Sequence, residues 1–250
     1  MNLTTLRYNV EGGVATVTLD RPESRNALNR AMCDDLVAAA TVACDAADVG
    51  LVLIRGKGPV FCAGADLKER QGMGDEEARA RRLAAFAAYG ALESLPMPVI
   101  AVVHGPAIGS GVEIACCCDF VVATPQATFA TPEASRGTLG LTQRLPRIIG
   151  KQLAKDMMFT GRRLTAEEAR AAGLVTRVVE ADILESVVAD IVKTIIAAPQ
   201  ASLRLGKSCI DQGMALDLRG GLALERAAME ENIAQGAWRA GMARIGRDKA

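Results

Sequence analysis

The chain is 250 residues long, with 50% hydrophobic and 23% charged residues, a balance that excludes a disordered chain. At this length folding removes roughly 70–75% of the unfolded surface from water, so a core needs neither disulfide nor metal. Lys plus Arg equals Asp plus Glu at 29 each and aromatics are only 3%, so the basic excess and stacking rings of a nucleic-acid binder are both missing.

Residues 6–20 alternate around Gly12-Gly13 and predict a hairpin. Asn29 is placed as an N-cap, and Met32, Leu36, Ala40, Ala43 and Ala47 follow it at helical spacing. Residues 51–54 are an apolar run of the buried-strand type. Residues 56–74 are rich in glycine and predict a loop. Residues 75–94 read as a helix, with Arg79, Arg81 and Arg82 taken as a solvated face. Residues 98–103 predict a second buried strand, Gly109-Ser110-Gly111 opens a helix over 112–118, and 120–123 is a strand again.

From residue 142 the pattern is mostly helical. Thr165 with Glu168 forms a capping box and Gly173 ends that helix; Asp182 with Glu185 predicts the same device again. Leu184, Val187, Val188, Ile191, Val192, Ile195 and Ile196 make an amphipathic stripe, and Pro199 begins the next helix. Strands alternate with helices early and helices dominate late, which predicts an α/β core over 1–195 and a helical region over 196–250.

The seven cysteines, Cys33, Cys44, Cys62, Cys116, Cys117, Cys118 and Cys209, are odd in number and contain no C-x-x-C pair. With a single histidine, His104, they argue against a zinc site and a secreted disulfide scaffold, and fit a cytoplasmic protein. The N-terminus shows no charged-then-apolar signal. The longest uncharged stretch, 94–112, carries three prolines and three glycines, which disfavours a membrane span.

Three common enzyme signals fail. Ile108 occupies the first glycine place of a nucleophile elbow around Ser110, no G-x-G-x-x-G loop is complete, and no phosphate loop exists. His104 is taken as a strand-end residue bonded to backbone. Two small-residue turns remain. In Phe61-Cys62-Ala63-Gly64-Ala65-Asp66-Leu67-Lys68, amides can face a ligand without side chains in the way; Gly109-Ser110-Gly111-Val112-Glu113 opens a helix whose free amides favour negative charge. On the residues alone each is first a plain loop or cap and second an oxyanion site. Glu113, among apolar neighbours, is either a first-turn acid complementing the helix dipole or a carboxylate in a dry pocket; Glu133 is either a loop acid or its partner.

Taken together these segments resemble the enoyl-CoA hydratase/isomerase (crotonase) superfamily. The likeness runs through Leu19-Asp20-Arg21-Pro22, Asn26-Ala27-Leu28-Asn29, the two turns, Phe129 to Glu133, Thr142-Gln143-Arg144-Leu145 and on to Val175, in order along nearly the whole chain. The resemblance implies a spiral of ββα units with a C-terminal helical region, assembled as a homotrimer or homohexamer. It implies oxyanion amides at Ala65 and Ser110, with Glu113 as the water-activating base and Glu133 as the proton donor. Arg25 and Lys68 fall where cations would meet coenzyme A phosphates, and Ala27, Ala63, Gly64, Asp66, Leu67 and Gly109 complete the expected substrate-binding set. Coenzyme A enters only as part of an acyl-CoA substrate, with no separate cofactor, no metal, no nucleic acid and no membrane. Both acids being present favours hydration of a 2-enoyl-CoA; a Δ3-Δ2 isomerase or a non-catalytic acyl-CoA-binding subunit is the alternative.

Three departures stand out. Ser110 replaces a usual glycine. The stretch between Glu133 and Thr142 is about three residues shorter than in the family and lacks its proline, which predicts an altered acyl preference or weakened activity. The tail from Met242 to Lys249 lacks the aromatic residue commonly found there, so it is expected to contact ligand less closely or to be disordered.

Overall fold

The structure is a computed structural model that describes residues 2–236 together with 238, 239 and 242. Most of the tail from Met242 to Lys249 thus lies outside the described residues. Strands β1 (Leu6–Glu11) and β2 (Val14–Leu19) pair antiparallel across Gly12-Gly13, the expected hairpin. Helix α1 (Arg30–Asp45) starts where the Asn29 side chain accepts the Met32 amide at 2.9 Å. Strand β3 (Leu51–Gly56), helix α2 (Asp75–Glu93) and strand β4 (Val99–Val103) follow. After them come β5 (Ala107–Ile108), α3 (Ser110–Cys116), β6 (Phe120–Ala123) and β7 (Thr128–Ala130).

The later chain holds α4 (Arg144–Ile149), α5 (Lys151–Thr160), β8 (Arg163–Thr165), α6 (Ala166–Ala171), β9 (Arg177–Val178) and α7 (Leu184–Ala197). It closes with α8 (Gln200–Gly213) and α9 (Leu218–Ala234). The larger sheet has the order β1-β2-β3-β4-β6-β9, parallel from β2 onward, and a smaller sheet has the order β5-β7-β8.

The larger sheet is covered on both faces, which is why β3 and β4 read as unbroken apolar runs. Val52, Ile54, Val99, Ala101 and Val103 point into the main core with α1 and α2. Leu51, Leu53, Ile100 and Val102 face the other way, onto Leu184, Val188 and Ile191 of α7. The stripe expected on α7 is the second core. The proposed division at 195/196 falls in the last turn of α7; the chain then bends by 101° through Pro199 into α8. Neither α8 nor α9 fully buries a residue within this chain. Among the described residues no single helix is long and apolar enough to cross a membrane.

Three expectations are corrected. Arg81 is not on a solvated face: it is 3% exposed, pairs with Glu69 at 3.1 Å and donates to the Leu28 carbonyl. Asp182 caps nothing, since α7 begins after Ile183 without a side-chain bond; Glu185 instead pairs with Arg55 at 2.6 Å. The short strands β5, β8 and β9 interrupt segments that carry no strand periodicity, because two or three residues cannot display one. The Thr165–Glu168 capping box is present, with bonds of 3.2 and 2.8 Å.

Candidate active site

The turn after β3 is held as an extra strand between two neighbours. Cys62 donates to the Pro106 carbonyl at 3.2 Å and accepts from Ile108 at 2.9 Å. Leu28 donates to Gly64 at 2.7 Å and accepts from Asp66 at 2.9 Å. In this parallel bridge the flanking residues serve Leu28, so the Ala65 amide points to the other side. It has no acceptor among the described residues, and neither has the Ser110 amide at the first turn of α3.

Two glycines allow the turns to approach. Gly64 has φ +95°, and a Cβ there would come within 2.9 Å of the Ile108 carbonyl. Gly109 has φ +51°, and a Cβ there would collide with a carboxylate oxygen of Glu133. Ala63, Gly64, Ala65, Leu67, Gly109, Ser110 and Glu133 consequently wall one inner cleft, together with Arg70, Arg82, Arg136 and Thr138. Ser110, Glu113 and Glu133 wall a second, contiguous cleft with Tyr89, Phe86 and Gly140. Both acids and both free amides therefore converge on one region.

The two acids have different surroundings. Glu113 accepts the Leu141 amide at 2.9 Å on one oxygen and the Arg144 guanidinium at 2.9 Å on the other. Arg144 also grips Glu93 through two bonds of 2.9 and 2.7 Å and lies over the Tyr89 ring. Glu113 is thus an anchored carboxylate with spare lone pairs. Glu133 is the reverse. One of its oxygens is buried without a partner, and burial, reinforced by the Glu113 charge, raises its carboxyl above the ordinary glutamate range against the bond from its own backbone.

The remaining expected residues sit elsewhere. Arg25 is exposed with φ 54°, and its carbonyl accepts the Ala63 amide at 3.0 Å; its part is to brace the turn. Ala27 accepts from Arg21 at 2.6 Å. Asp66 is buried and paired with Arg21 at 3.0 Å; burial opposes its ionisation, but bonds from Arg21, Glu69 and Lys68 outweigh that and keep its carboxyl below the usual range. Lys68 is exposed. None of Arg25, Ala27, Asp66 and Lys68 lines either cleft. His104 lies at a strand end, its Nε2 donating to Gly58 at 2.6 Å. Burial pushes the Cys62 thiol up to about 12, so it is no thiolate nucleophile at neutral pH.

Sequence reasoning misses Tyr89, Arg70, Arg82 and Arg136. They come from helix and loop positions whose only sequence signal is their residue type. The short stretch after Glu133 is closed by Leu141, which adopts φ 58° although it is not glycine, and whose amide reaches back to Glu113.

This geometry meets independent likenesses. The family model for enoyl-CoA hydratase/isomerase matches residues 9–247. A mouse protein named "Enoyl-CoA hydratase domain-containing protein 2, mitochondrial" is 37% identical over 230 residues, covering 88% of this chain and 77% of its own. The "Probable enoyl-CoA hydratase echA8" of Mycobacterium bovis is 38% identical over 216 residues, covering 85% and 83%. The solved enoyl-CoA hydratase of Mycobacterium smegmatis superposes with a TM-score of 0.92 at 32% identity, over 98% of this chain and 97% of its own. That of Bacillus anthracis gives 0.89 at 35% identity, over 92% of each. The α/β spiral, the order of its motifs and these likenesses together make the chain a member of the enoyl-CoA hydratase/isomerase, or crotonase, superfamily.

Proposed function

We propose that the chain is a hydratase that adds water across the 2,3 double bond of a 2-enoyl-CoA thioester. The observation that carries this is the convergence of two unbonded amides, Ala65 and Ser110, with two carboxyls, Glu113 and Glu133. Attack of water at Cβ moves charge onto the thioester oxygen. Two amides aimed at that oxygen stabilise the enolate-like state, each donor being worth about 3–4 kcal/mol. Glu113, fixed by Leu141 and Arg144, orients the water and accepts its proton. Glu133, whose burial keeps it protonated to higher pH, delivers a proton to Cα. The reaction as written draws on coenzyme A only within the substrate.

A second reading has its own support. Arg144 and the Leu141 amide each occupy one oxygen of Glu113, whereas a Glu133 oxygen has no partner, which suits a Δ3-Δ2 isomerase that shuttles one proton on Glu133. Turnover of 2-hexenoyl-CoA and 3-hexenoyl-CoA by wild type, Glu113→Gln and Glu133→Gln separates them. Hydration predicts loss of 2-enoyl turnover by about 10²–10⁴-fold in both variants. Isomerisation predicts loss in Glu133→Gln alone, on the 3-enoyl substrate. Binding of hexanoyl-CoA without turnover of either enoyl substrate would leave a non-catalytic acyl-CoA-binding subunit.

Seven free thiols support a reducing compartment, the cytoplasm in this proposal. A homotrimer or homohexamer is supported by the apolar residues that α8 and α9 leave exposed, among them Ile210, Met214, Leu218 and Leu222.

A further inference from the structure

The inner cleft with the two free amides has room for about one water, roughly 30 Å³, and adjoins an outer cavity of about 540 Å³. The two share Arg70, Arg82 and Thr138, which therefore stand at the throat between them. An acyl chain whose thioester carbonyl meets Ala65 and Ser110 must pass this throat to enter the outer cavity, walled by Met73, Ala78, Gly137 and Leu139.

For the tail of a fatty acyl group the throat is the wrong chemistry. Arg70 and Arg82 are half-buried, and neither forms an ion pair or a side-chain hydrogen bond among the described residues. Arg82 only stacks on the Phe86 ring at 5.7 Å. Arg136, on the inner wall, is likewise without an ion pair among the described residues. Arg81, which also faces the outer cavity, differs in being neutralised by Glu69 at 3.1 Å. Burial and the charges of Arg81 and Arg82 make the Arg70 guanidinium less basic than usual, outweighing the opposing pull of Tyr89 and Glu133. Glu133 is the one acid on the inner wall, and its buried oxygen accepts from none of them. Half-buried guanidinium groups without an ion-pair partner lower their energy by pairing bidentately with a carboxylate.

We propose that Arg70 and Arg82 make the acyl site selective for acyl-CoA thioesters that carry a carboxylate on the acyl chain. The inference rests on the cleft being the thioester site; it does not depend on which reaction follows. It also gives the shortened stretch after Glu133 a consequence, since that stretch supplies Arg136, Gly137, Thr138 and Leu139 to the walls.

Calorimetric binding of adipyl-CoA and hexanoyl-CoA, which have equal chain length and no double bond, tests selectivity without chemistry. Wild type should bind adipyl-CoA at least about tenfold more tightly, and Arg82→Met and Arg70→Met should each bring the ratio toward one. Equal affinities in wild type overturn the proposal, with or without folded variants. The same pair as N-acetylcysteamine thioesters, which lack the coenzyme phosphates, separates the two sources of an anion. A preserved carboxylate preference there supports the acyl assignment. A variant that weakens both CoA esters alike, and neither short thioester, would assign the arginines to a coenzyme phosphate and overturn it. If adipyl-CoA is preferred while no enoyl ester is hydrated, the carboxylate selectivity stands and the hydratase proposal falls. If enoyl esters are hydrated while adipyl-CoA is not preferred, the hydratase proposal stands and the selectivity falls.

Discussion

Glu133 shows how one residue carries a conflict between stability and chemistry. Its carboxyl is pressed against Gly109, where only a missing Cβ leaves space, and one of its oxygens is buried without a partner. Burial raises its pKa, so the fold favours the protonated form. The stabilisation linked to that proton is complete below the ordinary glutamate pKa and is lost as pH rises through the raised value. Glu133→Gln does not titrate. Melting curves across pH 4–9 should therefore show wild type losing ground to Glu133→Gln as pH rises through that window. A difference that is flat with pH would mean that Glu133 is not held in its neutral form. Glu113→Gln should destabilise the fold, because it removes one of the two carboxylates that hold Arg144 and leaves the Leu141 amide a weaker acceptor.

At the scale of elements, Arg81 ties α2 to the strand-like segments that aim the Ala65 amide. Its guanidinium meets Glu69 and the Leu28 carbonyl, and Leu28 is the residue that Gly64 and Asp66 bracket. Arg81→Met should cost about 1.5–3 kcal/mol by removing the ion pair with Glu69 and one of the two bonds to the Leu28 carbonyl, which keeps only that from Asp66. It should also lower kcat, because the amide loses its brace. The capping residue Thr165 offers the contrast: Thr165→Ala should cost about 1 kcal/mol and leave kcat unchanged, since α6 lines neither cleft. Equal losses of kcat in the two variants, measured with urea melts, would show that Arg81 acts through stability alone. The contrast also marks what is legible in sequence. The hairpin, the Asn29 cap, the capping box and the two-faced α7 stripe follow from chemistry acting across a few residues. Arg81 and Arg82 do not: the three arginines of α2 read alike until Glu69 pairs with one and the cleft half-buries another, leaving only Arg79 exposed.

For the whole molecule, the uncovered apolar surface is concentrated on α8 and α9. Helix α8 is anchored through Lys207 to Asp119 at 2.9 Å and Arg204 to the Val49 carbonyl at 3.1 Å, yet Met214 is 84% and Leu218 80% exposed. A groove of about 610 Å³ between the two helices is lined largely by apolar side chains. Surface of that kind is what subunit contacts cover. Sedimentation of wild type should give a trimer or hexamer at micromolar concentration, and Met214→Asp combined with Leu218→Asp should shift it to smaller species. A monomeric wild type would refute the assembly.

The order of motifs, the α/β alternation, the helical end and the two glycine turns all follow from residue types and spacing, because each depends on contacts close along the chain. The superfamily is legible for the same reason. Only the tertiary structure decided which groups are free and which are paired. Glu113 and Glu133 look equivalent as letters, but packing gives one an arginine and leaves the other dry. Arg70 and Arg82 become a cationic throat, with Arg136 on the inner wall beside it, only when a loop, a helix and the short stretch after Glu133 are brought to one cleft. Charge and desolvation depend on distance in space, and spacing along the chain does not encode that.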